Sequence, residues 1–340
     1  MSQQSLKDKV MEIKKYAPVI IPTLNRYEHF KRCLESLEKC TGAEYTDVYV
    51  ALDYPPSDKY VDGWKQIDEY LFLKEKNNKF KNLFVIRRER NYGVGHTNSN
   101  ASILLRDIKE KYDCYIFSED DNEFAASFLE YMNACFIRFK DDDRIVKVCG
   151  YNFPMQMPEM YKNNFYISKH FCAWGNGSWT KKNKEILKYY TLDALKNIIL
   201  DDKKYQRLKA IYPRGISLIH SMLKLKNLHG DAIYEIYARM EDKYFVLPVI
   251  SKVRNFGNDG TGVHSLHMDE NVNKVYSEQD IDMADTFEFT NDVFTYEPVG
   301  LVSHNPTPPK TLRSIYKSLV VKLDIWLLRH FNYLPKSKFI

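Results

Sequence analysis

Glu119, Asp120 and Asp121 stand side by side where the apolar run Tyr115-Ile116-Phe117 ends. Adjacent carboxylates repel one another unless something positive lies among them, and hard oxygen donors of this kind suit Mg2+ or Mn2+. The same ion could bridge a substrate diphosphate. A second reading is capping, because acids are favoured at helix N-termini and the residues that follow read as a helix. One acid would satisfy capping; three in succession favour a site.

Other polar clusters also follow apolar runs. Val19-Ile20-Ile21 leads into Pro22, Thr23, Asn25 and Arg26; "TDVYVAL" ends on Asp53; "NLFVIR" precedes "RNYGVGHTNSN", which carries Asn91 and His96. Asp53 could accept a hydrogen bond from a base or ribose, or serve as a turn carboxylate ahead of Pro55-Pro56. The glycines at 93 and 95 let a phosphate approach backbone amides before a helix. They do not complete GxGxxG, which disfavours a hydride-transferring Rossmann enzyme. No GxSxG elbow supports a serine hydrolase.

Four strand-like runs alternate with helical segments up to about position 120. That order predicts an α/β fold with a mostly parallel sheet and helices on both faces, its ligand crevice beyond the carboxyl ends of the strands. The four polar clusters would then converge on one crevice. Past Gly150 the aromatic-rich stretch "YNFPMQMPEMYKNNFYISKHFCAWGNGSW" lacks periodicity and reads as a loop-rich cover for the cleft. Helices are expected around 181–190 and over 193–222, broken near Pro213. Asp231 opens the helix "DAIYEIYARM" either as a cap or as a residue facing the cleft. Asp201, Asp202, Glu235, Glu241 and Asp242 compete with it as general bases. His264 and His267 are candidates to touch a metal or diphosphate, with His264 taken as a metal ligand beside Asp121.

Composition narrows the classes. Apolar residues at 44% and charged residues at 28% favour neither a disordered nor a membrane-spanning chain. A net charge of +5 without long basic blocks argues against nucleic acid as the partner. The six cysteines show no zinc or CxxC spacing and read as reduced core thiols. The N-terminal stretch lacks a signal-peptide core, so a cytoplasmic location is expected. In the tail, Ile315, Leu319, Val320, Leu323, Trp326, Leu327 and Phe331 fall on one helical side among basic residues. Such a helix either lies in a membrane interface, on the inner face of the cell membrane, or docks on the protein's own core.

Together, "VIIPTLNRYEHFKRCLESL", Asp53, "RNYGVGHTNSNASI" and "FSEDDNEFAASFLEYM" resemble the GT-A-fold (Rossmann-like) glycosyltransferases, in particular family 2 bacterial sugar transferases and the N-acetylglucosaminyltransferase I type. The resemblance covers roughly Pro18 to Ser265. It implies that Arg26 and Asp53 hold the nucleotide and that His96 contacts it, with Pro22, Thr23, Asn25, Asn91 and Glu119 grouped as nucleotide-sugar-binding. Asp120 would touch ribose or sugar, and Asp121, last of the DxD-like motif, would bind the metal. Trp174 and Gly175 in "AWGNGSW" would shape the donor-sugar and acceptor pocket. The order "DAIYEIYARMEDKYFVLPVISKVRNFGNDGTGVHS" is similar to a segment whose Asp is the catalytic base, which points to Asp231. This chain has one Asp there, not a pair.

The expected protein is an inverting, Mn- or Mg-dependent transferase. It would use a nucleotide-diphosphate sugar, first a UDP-sugar, and a glycan or lipid-linked glycan acceptor, in surface or capsular polysaccharide synthesis. Residues 1–150 would bind the nucleotide sugar, 151–305 the acceptor, and 306–340 form an amphipathic basic tail. The rivals are a sugar nucleotidyltransferase, which would release pyrophosphate, and a non-catalytic carbohydrate-binding protein, which would not turn over a donor.

Overall fold

The computed structural model describes residues 16–95, 97–262, 270–290, 302–303 and 311–335. The chain divides into two units, one of 1–168, 172–182 and 245–303 and the other of 169–171, 183–244 and 304–340. The first begins β1 (Val19–Thr23), α1 (Tyr27–Glu38), β2 (Asp47–Leu52), α2 (Val61–Lys76), β3 (Asn82–Arg87), α3 (Asn100–Lys111) and β4 (Cys114–Phe117). This is the strand–helix alternation expected from the sequence. It continues with β5 (Asn122–Phe124), α4 (Phe128–Arg138), β6 (Ile145–Cys149), β7 (Met155–Gln156), β8 (Phe165–Ser168) and β9 (Asn176–Trp179).

The second unit supplies α5 (Leu192–Leu200), α6 (Asp202–Ile211), α7 (Pro213–Leu225) and α8 (Gly230–Met240). Then follow β10 (Tyr244–Pro248), β11 (Val253–Asn255), α9 (Glu270–Ser277), β12 (Val302–Ser303) and, back in the second unit, α10 (Leu312–Phe331). The expected helix at 181–190 is a 3-10 helix over Lys182–Tyr189. The expected helix over 193–222 breaks at Asp201 as well as before Pro213: the Asp201 carboxylate accepts from Lys204 N and caps a new helix.

Eight strands form one sheet in the order β3-β2-β1-β4-β9-β6-β10-β8. β3, β2, β1 and β4 are parallel, and β6 points their way because both it and β4 run antiparallel to β9. The sheet is thus mostly parallel, and its later strands carry the first unit past position 150. Every residue of β2 is buried, as is every residue of β1 but Pro22, the pattern of strands covered on both faces. Ile20 joins Ala51, Tyr115, Leu104 and Ile108 in one cluster, the last two an i, i+4 pair on α3. Strand alternation sends Val19 and Ile21 to the opposite face. α1 buries Phe30, Cys33, Leu34 and Leu37 at helical spacing. All six cysteines are free thiols, five of them buried.

The acids do not run straight into a helix. After Asp121 the chain first makes β5, which pairs antiparallel with β11 so that Asn122 faces Asn255 and Phe124 faces Val253. α4 begins only at Phe128. Distant pairing therefore overrides the local capping signal.

β9 crosses the centre of the sheet with no room to spare. A Cβ on Gly177 would lie 2.7 Å from the Tyr115 carbonyl oxygen and 2.5 Å from Phe136 Cζ. Gly177→Val is expected to lower stability by about 1–3 kcal/mol through overpacking. Urea unfolding checks this, and an unchanged midpoint would contradict the packing described.

Candidate active site at the strand ends

β1 lies between β2 and β4, where the strand order reverses. In open α/β sheets ligands bind at such a point, beyond the carboxyl ends of the strands. Thr23, Arg26, Asp120 and Asp121 meet there. Thr23 Oγ1 donates to Asp120 Oδ2 at 2.8 Å. Arg26, immediately before α1, places Nη2 on Asp120 Oδ1 and 2.8 Å from Asp121 Oδ2. The remaining Asp121 oxygen, Oδ1, accepts from Asn255 Nδ2 at 2.8 Å. Both carboxylates are buried.

Two buried negative charges thus share one guanidinium. Burial pushes the Asp120 carboxyl above its usual range; Arg26 pulls it down, and Asp121 pushes it up again. For Arg26, burial opposes the charge, but Asp120 and then Asp121 outweigh it and hold the guanidinium more firmly charged than an ordinary arginine. Its Nη1 is buried and has no hydrogen-bond partner among the described residues. That nitrogen is a charged donor left to be satisfied by a ligand.

Asn255 went unnoticed in the sequence. Its Nδ2 bridges Asp121 and Asn122 while its Oδ1 accepts from Gly257 N at 2.9 Å. A Cβ on Gly257 would lie 2.0 Å from Asp121 Oδ2, so only glycine admits the carboxylate at this close approach. Phe256 N donates to the Asp121 carbonyl at 2.9 Å, and Arg32 stacks on the Phe256 ring at 4.0 Å. Asn255 lies 134 residues from Asp121, and nothing near either residue in sequence announces the pairing.

Asp53 is buried at the end of β2. Its carboxylate accepts from Tyr54 N at 3.0 Å, Tyr92 N at 2.9 Å, Gly93 N at 2.9 Å and Asn91 Nδ2 at 3.4 Å. It holds the turn after β3, where Gly93 has a positive φ of 62°. Arg90, Asn91, Tyr92, Asn98 and Ile103 line a groove of about 510 Å3 at this turn. Arg90 lies over the Tyr92 ring at 5.0 Å.

The other expected residues are distributed as follows. Pro22 lies in β1 opposite Ala51, and Asn25 lies in the turn before Arg26. Glu119 offers its carbonyl to Ser118 Oγ at 2.8 Å and to Cys33 Sγ at 3.6 Å. Trp174 packs edge-on against Tyr151 and Tyr276. Gly175 takes a φ of 61°, and a Cβ there would lie 2.7 Å from Val253 Cγ2, on the strand that carries Asn255. Trp174 and Gly175 therefore belong to the same unit as the acids. His96 and His264 lie outside the described residues.

Asp231 belongs to the second unit. It is exposed in the first turn of α8, where the helix dipole favours its charge. Burial, with the Asp231 charge second, pushes the Tyr190 phenol up to about 12. Glu235, one turn further along, is engaged by Tyr212 and lies 3.5 Å from His170. Burial would raise its carboxyl, but hydrogen bonds from His170 and Tyr212 hold it below the usual range.

Among the described residues no three His, Cys, Asp or Glu side chains form a metal cage. Mg2+ commonly binds through one or two carboxylates plus substrate phosphates, and each oxygen of Asp120 and Asp121 keeps acceptor capacity beyond the donor it holds. The pair therefore fits a divalent cation that arrives with a phosphate ligand.

No protein-family model matches the chain, and no curated protein matches it. Several solved structures show partial likeness. S. aureus TarS (residues 1–349) aligns at 15% identity over 66% of this chain and 70% of that one, with a TM-score of 0.36. The same protein with UDP-GlcNAc aligns at 18% identity over 43% and 36%, TM-score 0.29. A mannosyltransferase from Pyrobaculum calidifontis with GDP-Man and Mn2+ aligns at 11% identity over 70% and 80%, TM-score 0.32. The chain spans little more than a third of the nucleotide-bound TarS structures it matches. At these identities and TM-scores the likeness carries nothing about chemistry, which rests on the residues above.

Arg26→Ala strips the acids of their counter-charge and is expected to cost about 3 kcal/mol, as in broken buried ion pairs. Mg2+ or Mn2+ alone should then raise the melting temperature of the variant more than that of the wild type, since a ligand of the folded state stabilises it. Thermal unfolding with and without the ion checks both; unchanged stability together with no ion response would contradict the charge balance.

Proposed function

We propose that this protein is a glycosyltransferase of the GT-A type, transferring a sugar from a nucleoside-diphosphate sugar to a hydroxyl of a glycan or lipid-linked glycan with inversion. The observation that carries the reading is the buried, unpartnered Nη1 of Arg26, set beside two carboxylates at the switch point of the sheet. An anionic phosphate oxygen is the complement of that donor. The groove at the turn held by Asp53 lies on the same unit and offers room, an aromatic ring and Arg90 for a base. A UDP-sugar is the first donor to test, and surface or capsular polysaccharide is the proposed pathway. Both follow from the resemblance to family 2 and N-acetylglucosaminyltransferase I-type enzymes; a workplace at the inner face of the cell membrane is suggested by the amphipathic basic tail.

In this reading Arg26 Nη1 holds a diphosphate oxygen and Asp120 accepts from a ribose or sugar hydroxyl. Asp231 takes the proton of the acceptor hydroxyl as its oxygen forms a bond to the anomeric carbon. The bond from that carbon to the diphosphate oxygen breaks, and the electron pair leaves with the nucleoside diphosphate. Attack from the face opposite the leaving group inverts the centre. Asp121 would hold a divalent cation, which would supply positive charge against the departing diphosphate. The assignment of Asp231 rests on the order of segments along the chain, and the exposed position of the residue in the first turn of a helix is compatible with it.

Asp231→Asn is expected to bind donor and cation normally and to lose turnover by about 100-fold or more. Asp121→Ala should lose the cation-dependent part of its nucleotide affinity. Calorimetry and a nucleoside-diphosphate release assay read the two effects. Normal turnover by Asp231→Asn would reject the base, and release of pyrophosphate would favour the nucleotidyltransferase.

A further inference from the structure

The C-terminal helix separates two tasks along its length. Its second half docks within its own unit: Ile325 and Leu328 are buried, and Arg329 Nη1 donates to the Ile199 carbonyl at 2.7 Å. Asp324, also buried, takes His220 Nε2 at 2.8 Å and Lys224 Nζ at 2.9 Å. Its first half is different. Every described side chain from Leu312 to Leu319 is exposed. That half is still helix, and its start is fixed by a capping box between Thr311 and Ser314.

The exposed residues are not polar. Leu312, Ile315, Tyr316, Leu319, Leu323 and Trp326 fall in one stripe about 100° wide at helical spacing. Leu319 and Leu323 are each 58% exposed and Trp326 48%. The stripe lies away from Asp324, Ile325 and Leu328, so the helix presents it while docked.

Charge identifies what covers it. Residues 304–340 hold seven of the chain's 50 Lys and Arg and one of its 45 Asp and Glu, so this segment carries +6 and the remaining 303 residues carry −1. Its one acid is Asp324, whose charge is spent on His220 and Lys224. Lys317 and Lys322 are exposed along the helix. Arg329 is paired with Asp202, whereas Lys322 is exposed beside the stripe; an apolar stripe with an aromatic ring, flanked by that lysine on a segment of net positive charge, complements a layer with an acyl interior and a negative surface.

We propose that this stripe docks flat on an anionic lipid bilayer, with Leu319, Leu323 and Trp326 entering the headgroup boundary and Lys322, at the edge of the stripe, facing lipid phosphates. The surface stands independently of the transfer reading. It accommodates both alternatives posed by the sequence, since the helix packs within its own unit and leaves a second face exposed. No helix among the described residues is long and apolar enough to cross a membrane, so the expected attachment is reversible.

Co-sedimentation of the full chain with phosphatidylcholine vesicles, with and without phosphatidylglycerol, tests the proposal. Binding is expected to the anionic vesicles at low salt and to weaken at high salt. Lys322→Ala should reduce partitioning by about 5-fold, the equivalent of about 1 kcal/mol for one basic residue. Leu319→Ser with Leu323→Ser should abolish it, while thermal unfolding stays unchanged because both side chains are exposed. Failure of the wild type to sediment with anionic vesicles at low salt would overturn the proposal. So would equal binding to neutral vesicles, or a dimer in light scattering that the serine pair dissolves without any lipid binding. Turnover with a soluble acceptor reports separately on the transfer reading.

Discussion

One guanidinium between two buried carboxylates organises the first unit. Through Arg26 the turn after β1 is tied to the turn after β4, and through Asp121 both are tied to Asn255 and the backbone at Gly257. Three segments far apart in sequence therefore close on the switch point of the sheet. The charges do not cancel: two acids face one arginine, and burial pushes the Asp120 carboxyl up because its charge is disfavoured there. A diphosphate alone would add further negative charge. With a divalent cation the charge of the diphosphate is offset and the site gains no further negative charge, which is the physical reason to expect cation and nucleotide to bind together. The unpartnered Nη1 then finds its acceptor.

Asp53 serves the turn after β3 directly. Its carboxylate is taken up by the turn that carries Tyr92 and Gly93, so its first effect is to shape the groove beside Arg90 and Asn91. A role toward a base would then run through the geometry of that turn as much as through direct contact. The same economy appears in the C-terminal helix, where Asp324 anchors one half so that the other half stays exposed.

The first four strands and their helices were legible because each is a short apolar run followed by residues at helical spacing, as in β1 and α1. The strand ends carrying Thr23, Arg26, Asp120 and Asp121 were legible for the same reason. What escaped was set by distance. β5 follows the acids where a helix was expected, because β11 supplies a partner more than a hundred residues away. Asn255 is invisible until that pairing is known. β8 and β9 lie inside a stretch read as irregular, since short strands buried throughout lack the alternation that marks a half-exposed strand. In the tail, periodicity revealed one apolar side but not that Ile315, Leu319 and Leu323 would remain exposed while Ile325 and Leu328 packed inward.

The central claim is that a nucleoside diphosphate binds where Arg26, Asp120 and Asp121 meet. Hydrogen exchange of the full chain, with and without UDP and Mn2+, tests it most directly because it reads location without requiring the acceptor. Slowed exchange is expected in the turns at 24–26, 90–93, 118–122 and 255–257 together, only when nucleotide and cation are both present. Protection confined to the second unit, or none under conditions where calorimetry shows binding, would contradict it.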